Sequence, residues 1–401
     1  MTNTVRFALL SRLCYSFRAM RAINISQSRR DHFIAAAIFL FTFTIYLRTL
    51  APSVVFLFDD TLDFQYSIPR LGIAHQTGYP LYTLLGKIFT ALVPLNDAAF
   101  RLNLFSALCA AFAATTIYFI AKSITTFQVP RIFSALVFAF GETFWSQAII
   151  AEVYALQMLL TALVLFFTLR LSLDASSFSL YFLAFIMGLG LAHHRLILLI
   201  YPAIAVYVIR EIPKFWRDQK TLFRAVLFFL APLLLYLYLP IRGAVGSADG
   251  TYENTFSGFL AWITASQYTI FLTSNPFNLQ RDASFFATLF QNQFTLAGLA
   301  LAAIGLITLW RAQRRAWILL TLAFILPTGF AINYNVADVD VFFLTSFFLV
   351  AIFAGAGADA LIVQSVKLKA KSEKLGIFLL AFSFFLFAWL PTNLLLTNYP
   401  L

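Results

Sequence analysis

Three aspartates lie within five residues in the first part of the chain, at Asp59, Asp60 and Asp63. If this segment is helical, Asp60 and Asp63 share one face, because side chains three residues apart are neighbours on a helix. Repulsion between close carboxylates raises the pKa of at least one of them, which prepares a general base. The same oxygens can instead bind a divalent cation, or the segment is only an acidic, solvated loop. Asp60 and Asp63 are therefore candidate catalytic residues, and a metal is left open.

Three further polar residues are candidates for binding a substrate. His75 lies in a stretch rich in Gly and Pro, residues 71–82, and those residue types fix the backbone path. Its imidazole can bond a substrate oxygen or a nearby acid, although a purely structural turn is equally consistent. Glu152 begins an apolar segment, where a carboxylate is costly unless it faces a cavity or a partner. Asp338 lies between two later apolar segments, either as a further ligand or as part of a simple loop.

Basic residues near these acids are few. His194 and Arg195 stand at a tight turn between two apolar segments, and Arg242 follows the end of another. A guanidinium group suits phosphate because its planar fork gives two parallel hydrogen bonds. The alternative is that these side chains only extend to the membrane–water interface. His194, Arg195 and Arg242 are thus candidates for binding a phosphate at headgroup depth.

The elements that carry these residues are predicted to be membrane-spanning helices. Hydrophobic residues make up 61% of the chain and charged residues 11%, whereas soluble domains carry about 25% charged residues. A span needs about 20 apolar residues, which predicts an all-α polytopic membrane protein with about eleven transmembrane helices. The candidate spans are residues 33–51, 102–121, 131–149, 153–171, 178–193, 196–210, 222–240, 294–310, 316–332, 341–363 and 375–397.

The distribution of charge fixes the predicted orientation. With the N-terminus in the cytoplasm, 21 of the 28 lysine and arginine residues fall on the cytoplasmic side, as the positive-inside rule requires. Residues 1–32 then form a cytoplasmic basic arm, residues 33–401 form one transmembrane domain, and residues 51–101 and 242–293 form two long outer loops. The net charge of +11 fits cytoplasmic loops beside anionic membrane lipids, so it is no argument for binding nucleic acid.

The first outer loop contains an apolar stretch that is too short to span. Between Leu81 and Val93 the apolar residues recur at helical spacing, with Thr83, Lys87 and Thr90 on the opposite side. This pattern predicts an amphipathic helix that lies in the membrane surface. A poorly formed extra span is the alternative, and it would reverse every later loop.

Several other functions have less support in the sequence. No phosphate-binding P-loop, dinucleotide fingerprint, serine-hydrolase elbow or paired-histidine zinc motif is visible. A transporter or flippase of lipid-linked sugars is the main alternative to an enzyme, with Glu142 and the outer carboxylates as proton or substrate sites. No inverted repeat is visible, however, and the polar residues gather on one face. A non-enzymatic scaffold leaves this gathering of acids, His and Arg unexplained.

Seven segments, in order along the chain, resemble a family of bacterial multi-pass proteins. That family is related to protein O-mannosyltransferases and to the wider GT-C glycosyltransferase superfamily. The first-loop segment reads Leu-Gly-Ile-Ala-His-Gln-Thr-Gly-Tyr-Pro-Leu-Tyr, and the others are residues 60–65, 100–104, 144–154, 190–195, 238–242 and 333–338. Where this chain has Asp63 and Gln76, the family commonly has Glu and Pro.

The resemblance implies a GT-C-like enzyme of the bacterial cytoplasmic (inner) membrane with its active site outside the cytoplasm. It would move a sugar from a polyprenyl-phosphate-linked donor to a hydroxyl of a protein, lipid or glycan. An acidic residue of the first loop would act as base, which points to Asp60 with assistance from Asp63. His194, Arg195 and Arg242 would bind the donor phosphate, and His75, Glu152 and Asp338 would contact the sugar or acceptor. Inversion at the anomeric carbon is expected by analogy, and a divalent cation is possible as a cofactor.

Overall fold

The computed structural model describes residues 28–55, 59–174, 176–213, 215–369 and 372–399. Within these ranges the chain folds into helices and loops, and one isolated bridge joins Ile73 to Ser247. Most of the predicted basic arm, residues 1–32, lies outside the described residues. The first helix begins at Ser28, slightly before the predicted boundary.

Eighteen α-helices follow one another along the described part of the chain. They are α1 (Ser28–Arg48), α2 (Asp59–Arg70), α3 (Pro80–Leu92), α4 (Ala98–Lys122), α5 (Gln128–Ala139), α6 (Glu142–Ala148), α7 (Val153–Arg170), α8 (Ser177–His193), α9 (Tyr201–Glu211), α10 (Gln219–Leu230), α11 (Tyr238–Arg242), α12 (Phe256–Ile263), α13 (Ile270–Thr273), α14 (Ala283–Ala312), α15 (Arg314–Ile332), α16 (Val339–Phe342), α17 (Leu344–Lys369) and α18 (Glu373–Asn398). Short 3₁₀ turns precede α9 at Arg195–Ile200 and α11 at Ala231–Leu237.

The expectation of an all-α polytopic membrane protein is confirmed. Eight helices in the described residues are long and apolar enough to cross a membrane, one of them being the continuous run Gln219–Arg242. The remaining three predicted spans coincide with shorter helices: α5 with α6, α8, and α9 with the 3₁₀ turn before it. The break between α5 and α6 falls at Gly141, and it leaves Glu142 exposed in the first turn of α6. Glu142 therefore lies beside a helix break and not within a continuous helix of span length.

The most buried span is α17, which packs mainly against α14, α18 and α5. Gly357 of α17 lies directly against the backbone of Leu301 in α14, and Gly305 of α14 lies against the backbone of Phe353. A Cβ at either glycine would overlap the opposing carbonyl. Close contact of backbones through small residues is how helices gain packing energy inside a bilayer.

The first long loop contains two helices, α2 and α3, that pack on each other and on α4. In α3 the face with Thr83, Gly86 and Thr90 is buried against the protein, whereas Ile88 and Leu92 are exposed. The predicted helix is therefore present, with its small polar residues turned inward and part of its apolar side exposed. The second long loop contains α12 and α13 and ends where α14 begins at Ala283, so α14 starts before the predicted span.

Candidate functional site

A cavity of about 250 Å³ lies at the end of the bundle where α7 begins and where α8 and α15 end. Five of the predicted site residues line it, although they come from distant parts of the chain. They are Asp60, His75, His194, Arg195 and Asp338. Aromatic side chains complete the wall, namely Tyr79, Tyr154, Tyr268, Phe271, Phe277, Phe330, Tyr334 and Phe342. The cavity thus combines carboxylates, one guanidinium group and flat apolar rings.

Helix α2 presents its two candidate carboxylates in different ways. The Asp60 side chain is 49% exposed and lines the cavity, whereas Asp63 is 17% exposed and turns towards the following loop. The Asp63 carboxylate accepts hydrogen bonds from Ser67 Oγ at 2.8 Å and from the backbone N–H of His75 at 2.8 Å. Asp60 can meet a substrate directly, and Asp63 is fully engaged with protein groups.

His75 lies between these two carboxylates. Its Nδ1 is 2.9 Å from Oδ2 of Asp63, and its Nε2 is 3.5 Å from Oδ2 of Asp60. The rings of Phe64 and Tyr79 pack on the imidazole, each with a centroid separation of 5.0 Å. Burial lowers the pKa of His75, but the Asp63 hydrogen bond and the charges of both aspartates outweigh it, so the pKa is raised overall. The imidazolium form therefore persists above the pH at which an ordinary histidine loses its charge.

The backbone around His75 is held from α11 and from the second long loop. Trp262 Nε1 donates to the carbonyl of Ala74 at 3.1 Å, and the Tyr238 hydroxyl donates to the carbonyl of Gly72 at 2.8 Å. Gly78 has a φ of +83°, and a Cβ there would overlap a methyl group of Leu239. Only glycine satisfies both conditions, which explains its place in this stretch.

Arg242 also holds the backbone of the first long loop, and it does not line the cavity. Its Nε donates to the carbonyl of Leu71 at 2.7 Å, and its Nη2 donates to the carbonyl of Arg70 at 3.2 Å. The structure therefore separates Arg242 from Arg195, although the sequence places both at the end of a helix. A phosphate-binding role for Arg242 has no support in this geometry.

Arg195 and His194 reach the cavity from the turn after α8. Arg195 Nη1 donates to the carbonyl of Thr264, which leaves the rest of the guanidinium group available to a ligand. Burial, reinforced by the charge of Arg195, holds the pKa of His194 well below its ordinary value. The backbone N–H of Leu196 donates to Nδ1 of His194 at 3.3 Å, so the neutral ring carries its proton on Nε2. His194 is thus an uncharged donor beside a cation.

Glu152 lies behind the cavity wall. The side chain is 2% exposed, and its Oε1 accepts a hydrogen bond from the Thr61 hydroxyl at 2.6 Å. Its other oxygen is buried without a hydrogen-bond partner. Burial, with the charge of Asp60, raises the pKa of Glu152 to about 8. The carboxyl is therefore mostly protonated at neutral pH, and it supports the residue next to Asp60 through Thr61.

Replacing Glu152 by Gln is expected to preserve the fold and to flatten the pH dependence of stability. Between about pH 5 and pH 8 the folded protein keeps a proton that the unfolded chain has released, so Glu152 makes wild-type stability fall as the pH rises. Gln stays neutral, and its carbonyl can accept from Thr61. Thermal unfolding in detergent should show a smaller decrease in Tm over this window for Glu152→Gln. Equal slopes for the two proteins would contradict this assignment.

Asp338 faces the cavity from the loop between α15 and α16. Burial, with the charges of Asp60 and Asp340, raises its pKa. Arg281 holds this loop, because its guanidinium group donates to the carbonyls of Tyr334, Val336 and Ala337. Sequence reasoning missed Arg281, whose signal is that it is the only basic residue between Arg242 and the next predicted span. The aromatic wall was missed too, because aromatic residues are common throughout this chain.

The described residues contain no group of three or more His, Cys, Asp or Glu side chains arranged to hold a metal ion. Asp60, Asp63 and His75 are close together, but the imidazole lies between the two carboxylates and bonds to them. A divalent cation bound by the clustered aspartates alone has no support here.

Two solved structures resemble the fold of this chain. ArnT from Cupriavidus metallidurans bound to undecaprenyl phosphate matches with a TM-score of 0.61 and 15% identity, over 83% of this chain and 62% of that one. The archaeal oligosaccharyltransferase AglB from Archaeoglobus fulgidus, in complex with an inhibitory peptide and a dolichol-phosphate, gives 0.60 and 12% over 92% and 55%. The chain has the GT-C fold. The expected GT-C architecture is thereby confirmed.

Sequence comparisons relate this chain to protein O-mannosyltransferases. Residues 60–217 match the family described as "Protein O-mannosyl-transferase TMEM260 N-terminal domain". This region contains nearly all of α2 and the helices up to α9, and it includes nine of the nineteen residues that line the cavity. The resemblance to protein O-mannosyltransferases is confirmed by this match.

Two curated relatives carry the same description. The mouse (Mus musculus) protein O-mannosyl-transferase TMEM260 is 28% identical over 74% of this GT-C chain and 45% of its own length. The Dictyostelium discoideum protein O-mannosyl-transferase tmem260 is 27% identical over 60% of the chain and 32% of its own length. The chain thus spans less than half the length of these relatives. Both organisms are eukaryotes, so the expected location in a bacterial inner membrane stays a prediction.

Proposed function

We propose that this GT-C protein transfers a sugar from a polyprenyl-phosphate-linked donor to an acceptor hydroxyl. The observation that carries the proposal is the cavity in which Asp60, Arg195 and Asp338 meet from three distant segments. Such a site offers a base, a cation for a phosphate and a polar contact for a sugar. The two relatives are protein O-mannosyl-transferases by name, which favours mannose as the sugar and a protein hydroxyl as the acceptor.

Asp60 is the proposed general base. Its carboxylate is half exposed inside the cavity, so an acceptor hydroxyl can approach it. The acceptor oxygen forms a bond to the anomeric carbon while its proton passes to Asp60. The bond between the anomeric carbon and the phosphate oxygen breaks, and its electron pair leaves with the phosphate. Attack from the side opposite the phosphate inverts the anomeric centre.

Arg195 and His194 are the proposed phosphate ligands. The phosphate gains negative charge as the sugar leaves, and a fixed guanidinium group stabilises that charge where it develops. His194 adds an uncharged hydrogen bond from Nε2. The ArnT structure is bound to undecaprenyl phosphate and the AglB structure is in complex with a dolichol-phosphate, which supports a lipid phosphate as the leaving group here. Asp338 and the aromatic rings of Tyr154 and Tyr268 would contact the sugar.

The proposed reaction takes place outside the cytoplasm. The cavity lies at the end of the bundle opposite the connections after α4, α9 and α14, and ten of the 28 lysines and arginines lie in or beside those connections. The positive-inside bias assigns those loops to the cytoplasm. The lipid donor then presents its phosphate at the outer headgroup level, where Arg195 lies at a helix end.

A transfer assay on the purified protein tests this function. The wild type in lipid nanodiscs would receive polyprenyl-phosphate mannose or glucose, labelled in the sugar, with serine- and threonine-containing peptides and with or without EDTA. We expect transfer to peptide or release of free sugar, unchanged by EDTA. Donor binding without turnover, together with movement of the intact donor across proteoliposome membranes, would overturn the enzyme assignment in favour of a flippase.

A further inference from the structure

The side chain of Asp63 has no free direction towards the cavity. Its Oδ1 accepts from Ser67, and its Oδ2 accepts from both the backbone N–H and the ring of His75, at 2.8 and 2.9 Å. Asp63 is also absent from the residues that line the cavity. A carboxylate held in this way fixes an imidazole and does not meet a substrate hydroxyl.

The contact with Asp63 determines which ring nitrogen of His75 is free. Because a carboxylate only accepts, Nδ1 carries a proton and donates it to Asp63. Nε2 then points at Asp60, and the flanking rings of Phe64 and Tyr79 prevent the imidazole from turning. The separation of 3.5 Å between Nε2 and Asp60 is long for a hydrogen bond, but such contacts often tighten when substrate binds.

We propose that His75 is a positioning residue for Asp60, protonated in the working enzyme and held in place by Asp63. As an imidazolium it donates from Nε2 to one oxygen of Asp60 and turns the other oxygen to the acceptor hydroxyl. It also keeps Asp60 ionised, so the carboxylate is ready to take a proton. The acceptor proton passes to Asp60, and His75 keeps its own proton throughout. This inference rests on the proposed glycosyl transfer and assigns Asp63 a role different from that of a second base.

The charges around His75 favour the protonated ring. Asp60 and Asp63 of α2 face it directly, and Glu152 at the start of α7 adds a smaller contribution when ionised. Tyr79 at the start of α3 packs on it without charge, and the neutral His194 faces it across the Tyr79 ring. The pKa of His75 is raised, so the imidazolium is present at low and neutral pH and is lost as the pH rises. Transfer should therefore decline on the alkaline side.

Three single variants and one double variant test the inference, all in a Glu152→Gln background so that Glu152 cannot titrate. We expect His75→Gln to lower kcat about 10²-fold, to change the donor KM little, and to abolish the alkaline decline of kcat above about pH 6.5. Asp63→Asn should show most of the same loss of kcat and of the alkaline decline, because an amide cannot accept two N–H groups as strongly as a carboxylate. Asp63→Glu keeps the charge and should retain the alkaline decline. The double variant His75→Gln/Asp63→Asn should be no slower than His75→Gln alone, since the two residues act as a unit.

The outcomes separate this inference from the proposed function. If Asp60→Asn is inactive while His75→Gln keeps both the kcat and the alkaline decline of the background protein, the role of His75 is wrong and the transfer mechanism stands. Additive losses in the double variant would also overturn the inference. Normal turnover of Asp60→Asn would instead contradict the proposed base itself. Thermal unfolding in detergent confirms that each variant is folded, and Asp63→Glu provides the comparison if Asp63→Asn is not.

Discussion

Replacing Asp60 by Asn is expected to reduce glycosyl transfer by about 10³-fold while leaving the protein folded and able to bind its donor. The reason is that the amide cannot accept the acceptor proton, and positioned bases contribute about 10²- to 10⁴-fold. Asp60 is half exposed in the cavity, and Asn has nearly the same size and shape, so the fold should tolerate the change. The measurement is kcat for sugar transfer from labelled polyprenyl-phosphate mannose in nanodiscs.

Asp249→Asn is the matched control for this change. Asp249 lies in the loop after α11, and its carboxylate bonds only within that loop, to Ser247 and Thr251. The control removes one negative charge without touching the cavity, so transfer should stay within about twofold of wild type. Equal losses in both variants would mean that surface charge, not a base at Asp60, limits the reaction.

The second large effect concerns Arg195, with Arg242 as its comparison. Arg195→Gln is expected to lower kcat/KM for the lipid donor by about 10²- to 10³-fold, since the cavity loses the cation proposed to meet the leaving phosphate. Part of the loss should appear in kcat, because the negative charge on the phosphate is greatest in the transition state. Steady-state kinetics with varied donor concentration separate the two parameters.

Arg242→Gln provides the comparison, because it makes the same substitution at a residue outside the cavity. Its guanidinium group donates to backbone carbonyls at the end of α2, so its loss should mainly lower the thermal stability of the first loop. The donor KM of the folded protein should change little. If Arg242→Gln raises KM as much as Arg195→Gln, Arg242 also binds the donor and the separation of the two residues is wrong.

Much of the fold and part of the site could be predicted from the sequence. Apolar segments of span length predict helices, because the bilayer allows few other structures. Loops on one side of such a bundle converge, and Asp60, His75, Arg195 and Asp338 line one cavity. Their roles in catalysis and binding remain proposals.

The parts that could not be predicted depend on side-chain direction. Arg195 and Arg242 have the same sequence context, a basic residue after an apolar helix, and only the positions of Thr264 and Leu71 decide which one faces the cavity. Asp60 and Asp63 share a helix face, yet only Asp63 is turned away from the cavity, because its carboxylate accepts from the backbone N–H of His75. Such contacts link distant segments and leave no periodic signal.

Hydrogen bonds link α11 and the second long loop to the backbone around His75. Trp262, Tyr238 and Arg242 donate to backbone carbonyls next to His75, while Gln76 accepts from the backbone N–H of Gln267. A ligand that displaces the second long loop should therefore displace the backbone around His75 with it. If Asp60 is the base as proposed, entry of an acceptor and alignment of Asp60 are a single motion, so a poorly fitting acceptor would be rejected by misplacing Asp60 before any bond to the sugar is broken.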